Sequence, residues 1–173
     1  MNKTVQDNKL RTIDLPVDPV TPEAFAPFGT LIEESEDGEP FGKQDATLVL
    51  DRGTPRFYVM KLYGRPMEFR HITRHLCVTQ CLASVGGKPW FIAVAPPDAP
   101  DDKDAKPDPD RIKAFRIEGN QALMLGRGTW HAGPFFEDES LSFFNLELAD
   151  TNQVDHHTTV LDKAFGVQFR FQL

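Results

Sequence analysis

Apolar and polar residues alternate along much of this chain, in short stretches closed off by proline and glycine. Val167, Phe169 and Phe171 alternate with Gln168, Arg170 and Gln172, the pattern of a strand with one wet face. The same reading predicts strands over Thr47–Leu50, Arg56–Tyr63, Met67–His75, Cys77–Val85, Pro89–Ala95, Lys113–Glu118, Gln121–Leu125 and Leu141–Ala149. In the last of these, Phe144, Leu146 and Leu148 share a face expected to join a core, and Phe143, Asn145 and Glu147 share the other. One short helix is indicated, with Thr21 as N-cap, Pro22 at the first helical position, Glu23 in the first turn and Gly29 as the stop. Residues 96–110 hold six Asp and five Pro, which read as an exposed loop whose removal should leave folding intact. Residues 1–14 read as a flexible or edge extension. The pattern predicts one all-β domain over residues 1–173, a barrel or double sheet with a short N-terminal helix.

Composition narrows the partners. The 173 residues carry a formal net charge of −7, which argues against nucleic acid. No apolar run approaches the roughly 20 residues of a membrane span, and no signal segment is visible, so the cytoplasm is the expected location and no membrane is expected. The 14 Phe exceed what one core face can use, and the adjacent Phe143 and Phe144 must point to opposite faces, so a homodimer covering a second apolar face is expected. Cys77 and Cys81 form no disulfide framework and read as small core residues.

Candidate chemistry centres on His71, His75, His131, His156 and His157. On a strand, His71, Thr73 and His75 share a face. Gly126-Arg127-Gly128-Thr129-Trp130-His131 makes a tight turn and resembles the second cupin motif, P-x-G-x-x-H, with Gly126 in the proline place. The first cupin motif, H-x-H, four residues, then Glu, falls on Thr73, His75 and Gln80. That resemblance implies a cupin-like antiparallel β-barrel of the jelly-roll or double-stranded β-helix type, in which His75, Gln80 and His131 share an interior. His75 and His131 are the candidate acid/base pair, with Glu147 as a further base. If a divalent metal ion is the cofactor, His71, His75, Gln80 and His131 are the candidate ligands. Lys61 and Arg127 are the candidate cations for a small anionic substrate, with Gln80 beside them. His156 and His157 read as surface residues.

A more specific resemblance runs from about residue 22 to residue 131. Pro22-Glu23-Ala24-Phe25-Ala26-Pro27-Phe28-Gly29-Thr30-Leu31-Ile32-Glu33, then Arg74-His75 with Thr79-Gln80, Lys113-Ala114-Phe115 with Gly119-Asn120-Gln121, and Arg127-Gly128-Thr129-Trp130-His131 occur in order. Together they resemble the ureidoglycolate lyase family. The resemblance implies a cupin-type barrel, commonly a homodimer, that cleaves ureidoglycolate to glyoxylate and urea in purine nitrogen catabolism, a carbon–nitrogen lyase. The chain departs from the family pattern at Thr73, where the family has Glu, at Leu76, where it has Pro, at Ala132, where it often has a second His, and at Leu125, where Tyr is expected. Two alternatives stay open. One is a non-catalytic or divergent cupin binding a small carboxylate, and the other is a metal-dependent cupin enzyme for another small polar acid.

Overall fold

A computed structural model describes residues 10–173. Its strands, in chain order, are β1 (Arg11–Pro19), β2 (Gly29–Ile32), β3 (Pro55–Tyr63), β4 (Glu68–Phe69), β5 (His71–Arg74), β6 (Gln80–Ser84) and β7 (Trp90–Ala95). They continue with β8 (Lys113–Ile117), β9 (Ala122–Leu125), β10 (Trp130–Phe135), β11 (Ser140–Leu148), β12 (His157–Val160) and β13 (Val167–Gln172). Three single-turn α-helices, α1 (Pro22–Phe25), α2 (Thr151–Val154) and α3 (Leu161–Phe165), and a 3₁₀ turn at Pro109–Arg111 complete the fold among the described residues. The strands form two curled sheets, β12-β5-β10-β7-β8-β1-β13-β4 and β2-β9-β6-β11-β3. This is the all-β arrangement expected from the sequence, built here as two curled sheets. One strand departs from the antiparallel rule: β1 runs parallel to both β13 and β8.

Two cores follow from the alternation of side chains. Leu31, Leu82, Leu123, Leu141 and Phe143 of the small sheet meet Trp90, Ile92, Val94, Phe115 and Ile117 of the large one. On the other side of the large sheet, Phe69, Ile72, Phe91, Trp130, Phe135, Phe169 and Phe171 pack together as the sheet curls over itself. Strand β7 serves both cores and is buried on both faces, which explains why Trp90-Phe91-Ile92-Ala93-Val94-Ala95 has no polar alternate.

Several expectations need correction. Residues 11–14 are not an edge extension, because β1 lies between β8 and β13 inside the large sheet; the remainder of the 1–14 expectation, residues 1–9, falls outside the described residues. Pro16 is tolerated there because pairing passes from β13 to β8 after it, so its missing N–H falls where the ladder changes partner. Thr47–Leu50 forms no strand, although Val49 exchanges hydrogen bonds with Thr79. Strand β11 has the opposite parity to that expected: Leu141, Phe143, Asn145 and Glu147 are the inward, buried set, and Phe144 is 40% exposed. Cys77 and Cys81 are free and only partly buried, outside both cores.

The N-terminal helix starts as read but ends at Phe25, with Ala26 rather than Gly29 as its C-cap. Thr21 Oγ1 accepts from the Ala24 N–H at 3.2 Å, Pro22 opens the helix, and Phe25 is buried against Phe28 and Phe115. Gly29 then starts β2 with φ +157°, and a Cβ there would collide with the carbonyl of Met124 on β9.

The Asp- and Pro-rich segment is exposed in its side chains but not loosely attached. The Arg74 guanidinium, fully buried and stacked 4.5 Å over the Trp130 ring, donates to the carbonyls of Asp98, Ala99 and Asp102. Pro97 and Pro100 close over Gly128, whose φ of +79° no side chain would share comfortably. The expectation of a dispensable loop overlooked its backbone.

Candidate functional site

The two histidine segments meet because β5 and β10 are neighbours, with His131 directly opposite Thr73. His131 also faces Val94, whose side chain lies between the sheets, so the imidazole is directed to the same side. The turn before β10 is stitched to the end of β5. The Gly128 N–H donates to the His75 carbonyl at 2.7 Å, and Arg127 Nε donates to the Leu76 carbonyl at 2.8 Å. The result is a pair of imidazoles with ring centroids 5.1 Å apart, well within the span of a shared site.

Asp155 holds His75 from the far end of the chain. Its buried carboxylate accepts from the N–H groups of Leu76 and Cys77, both at 2.8 Å, while its backbone carbonyl lies 2.6 Å from His75 Nδ1. A carbonyl can only accept, so Nδ1 carries the hydrogen and Nε2 keeps its lone pair. His131 Nδ1 faces the Thr129 carbonyl at 3.3 Å, which favours the same tautomer. Burial drives the His131 pKa down to about 3, and the nearby His75 adds to the effect. Burial also lowers the His75 pKa, but Asp155 and Glu147 oppose it. Both rings are therefore neutral near pH 7, and His75 is the better placed to accept a proton.

The small sheet contributes a buried polar cluster whose Glu147 acts on the His75 charge. Gln80 Nε2 donates to Asn145 Oδ1 at 3.2 Å and to Glu147 Oε2 at 3.1 Å, and the Tyr58 hydroxyl donates to Glu147 Oε1 at 3.1 Å. Glu147 is 1% exposed, so its carboxylate is held by these donors rather than by water. Burial and the Glu147 charge together raise the Tyr58 pKa. Gln80 Oε1 is buried and has no partner.

His131 opens onto a pocket of about 350 Å³ whose walls include Arg65, His71, Thr73, Ala132 and His156. His71 and Thr73, on one face of β5, thus reach the pocket, while His75, just past the end of β5, meets it through His131 and His156 rather than forming its wall. His156 was read as surface; it is exposed, but its ring lies 5.7 Å from His75 and borders the pocket. Lys61 was a candidate cation for the substrate. It lies instead on the outer face of β3, with its ammonium 5.4 Å from the Tyr63 ring, because Tyr58, Met60 and Leu62 take the inward positions. Arg127 is exposed and committed to the Leu76 carbonyl, outside the pocket wall. Leu125 belongs to the core between the sheets, so only Thr73 and Ala132 among the family departures border the pocket.

Arg65 and Asp155 went unread in the sequence. Arg65 sits in the β3–β4 connection, where no periodicity directs a side chain. Asp155 acts across 80 residues of chain.

Among the described residues no three His, Cys, Asp or Glu side chains are placed to hold a metal ion together. The two neutral imidazoles and the unpartnered amide oxygen of Gln80 are donors of the nitrogen and oxygen kind that divalent ions take.

The chain has clear relatives. The family description "Ureidoglycolate lyase" matches residues 41–168. Ureidoglycolate lyase of Pseudomonas putida (strain W619) is 30% identical over 164 residues, covering 83% of this chain and 90% of that protein. Ureidoglycolate lyase of Azotobacter vinelandii is 29% identical over 131 residues, covering 68% and 74%. Among solved structures, oxalate decarboxylase from Bacillus subtilis aligns with 65% of this chain at 12% identity and a TM-score of 0.40, and the aligned part spans 25% of that longer chain. The family match covers well over half of the sequence, including both histidine segments, β11 and Asp155: the chain belongs to the ureidoglycolate lyase family.

Proposed function

We propose that this chain is a ureidoglycolate lyase, acting as a single unit that releases urea from ureidoglycolate and leaves glyoxylate. The observation that carries the reading is the facing pair of neutral imidazoles, His75 and His131, with their Nε2 lone pairs free. The substrate carbon bears both a hydroxyl and a ureido nitrogen. His75 Nε2 takes the hydroxyl proton, and the O–H electron pair becomes the second bond of the glyoxylate carbonyl. The carbon–nitrogen bond breaks with its electrons on nitrogen, which takes the proton back from His75 as urea leaves. Glu147, hydrogen-bonded by Gln80, favours the transient imidazolium by its charge rather than by moving a proton. His131 stays neutral and accepts a hydrogen bond from the substrate. A divalent ion, when bound at His75, His131 and Gln80, would instead supply Lewis acidity toward the hydroxyl. One nitrogen of His75 cannot serve both uses at once. Urea release from ureidoglycolate, measured on protein purified without added metal and analysed for metal content, tests the activity and separates the two. Absence of urea release under both metal-free and metal-supplemented conditions overturns the reading.

In this reading the protein works in purine nitrogen catabolism in the cytoplasm, as a homodimer. Phe57, Val59 and Tyr63 on the outer face of β3 are 68%, 54% and 70% exposed, and Phe57 stacks on Phe144 with centroids 5.7 Å apart. An aromatic patch of this kind on an edge-strand pair is suited to a second copy of the chain related by a two-fold axis. Sedimentation at micromolar concentration should show a dimer, and Phe144→Glu should shift it to monomer while the fold persists. No helix of the described residues is long and apolar enough to cross a membrane.

A further inference from the structure

The pocket beside His131 contains a cation that the mechanism above does not use. Arg65 is carried between Gly64 and Pro66. The Gly64 N–H donates to the Glu139 carbonyl at 2.7 Å, and a Cβ at Gly64 would crowd the Asp138 carbonyl, so the backbone there is held close to the β10–β11 connection. Proline then fixes the following φ. The guanidinium lies over Phe135, its central carbon 4.1 Å from the ring centroid, and Nη2 makes only a long contact, 3.4 Å, with the Pro134 carbonyl. Among the described residues no carboxylate stands within ion-pair distance of it. The other arginine on the pocket wall, Arg70, is already engaged, with Gln168 at 2.7 Å and Asp162 at 3.9 Å. Arg65 is exposed at the pocket rim, and the desolvation of its guanidinium over Phe135 lowers its pKa.

Spacing along β10 sets the size of what would fit. Arg65 touches the strand at Pro134 and Phe135, and His131 is three residues before Pro134. That is roughly 10 Å of extended chain at about 3.3 Å per residue, less where the strand bulges between Ala132 and Phe135. Allowing about 3 Å for a hydrogen bond at each end leaves room for a two- or three-carbon skeleton. The floor between the ends is Ala132 and Gly133, a methyl group and a hydrogen, so nothing obstructs a short ligand laid along it. Glu68 also borders the pocket and disfavours an anion on its own side.

We propose that Arg65 is the carboxylate anchor of this site, holding a short 2-hydroxy or 2-oxo acid by a two-point guanidinium–carboxylate contact so that its second carbon lies against His131. The assignment rests on His75 and His131 being the reacting centre, and it names a specificity residue that the sequence reading had sought in Lys61 and Arg127. A planar fork suits a carboxylate where a lysine would supply only a point charge.

The test is calorimetric binding of glycolate and of its neutral counterpart glycolamide to the full chain. Glycolate should bind the native protein better than glycolamide. Arg65→Gln should weaken glycolate binding 10- to 100-fold and leave glycolamide unchanged. Arg65→Lys should fall between, and Lys61→Gln should match the native protein. In the urea-release assay, Arg65→Gln should raise KM far more than it lowers kcat. Equal glycolate affinity in the native and Arg65→Gln proteins overturns the assignment, as does a native protein that binds no glycolate at millimolar concentration. If glycolate binding depends on Arg65 but no urea is ever released, the anchor stands and the lyase reading alone falls. Arg65 lies on a connection outside both cores, and an unchanged thermal midpoint in Arg65→Gln establishes that the fold is intact.

Discussion

His75→Gln should lower kcat for urea release by about 10²- to 10⁴-fold, the range expected when a positioned general base is removed. The substitution keeps a polar side chain of similar reach but removes the only nitrogen in the pair that Asp155 and Glu147 both help to protonate. The thermal midpoint should move much less than the rate, because the ring makes one hydrogen bond, to the Asp155 carbonyl. The pH dependence follows from the sign of the shift. The folded pKa of His75 lies below the ordinary 6.5, so the reactive neutral form predominates at pH 7 and persists as pH falls past 6.5. The native rate should be flat from pH 8 to below 6.5 and fall only in more acid solution. In His75→Gln that acid limb should disappear. An acid limb centred above pH 6.5, or a residual rate within a few-fold of native, would remove His75 from the base role. Asp155→Ala offers a second view: with the loop N–H groups of Leu76 and Cys77 unpartnered, His75 should lose its alignment, and kcat should fall although no proton-transfer group has been deleted.

Much of this site could be read in the sequence because its parts obey local rules. A period of two places His71, Thr73 and His75 on one face, and glycines at 126 and 128 mark the turn that brings His131 opposite Thr73. What could not be read depends on contacts between distant segments or on choices that local pattern leaves degenerate. Strand β11 is apolar on both faces, with Phe143 next to Phe144, so alternation alone cannot say which face is inside. Tertiary packing decides it, placing Phe143 against Trp90 with centroids 5.3 Å apart. Lys61 followed the same error on the neighbouring strand, since β3 and β11 are paired in register and invert together. Strand β1 carries a clear alternation of Ile13, Leu15 and Val17, but Pro16 and Pro19 disguise it as a linker until the exchange of partners is seen. Asp155 and Arg65 have no motif, and their roles come from what lies across the chain.

Arg74→Ala should be the most damaging single substitution at a polar residue, costing about 3 kcal/mol, or roughly 6–12 °C in a domain of this size. The effect comes from what is left behind. Three carbonyls, of Asp98, Ala99 and Asp102, lose their donor, and the flat face of Trp130 loses the guanidinium that covers it. Buried acceptors without partners are expensive, whereas the exposed aspartate side chains of the same segment are not. Burial lowers the Arg74 pKa, with Asp102 opposing, so the charge itself is held at a cost that the carbonyls offset. Arg74→Met separates the two contributions. It should retain the stem packing on Trp130 and recover part of the stability, yet still free residues 96–110 to proteolysis. Because Pro97 and Pro100 rest on Gly128, whose N–H holds the His75 carbonyl, loosening the loop should also reach the catalytic pair. Both variants should therefore lose kcat by a larger factor than their remaining folded fraction explains. If Arg74→Ala melts with the native protein and the loop stays resistant to protease, the guanidinium does not hold the segment, and the motif turn must be fixed by the strands alone.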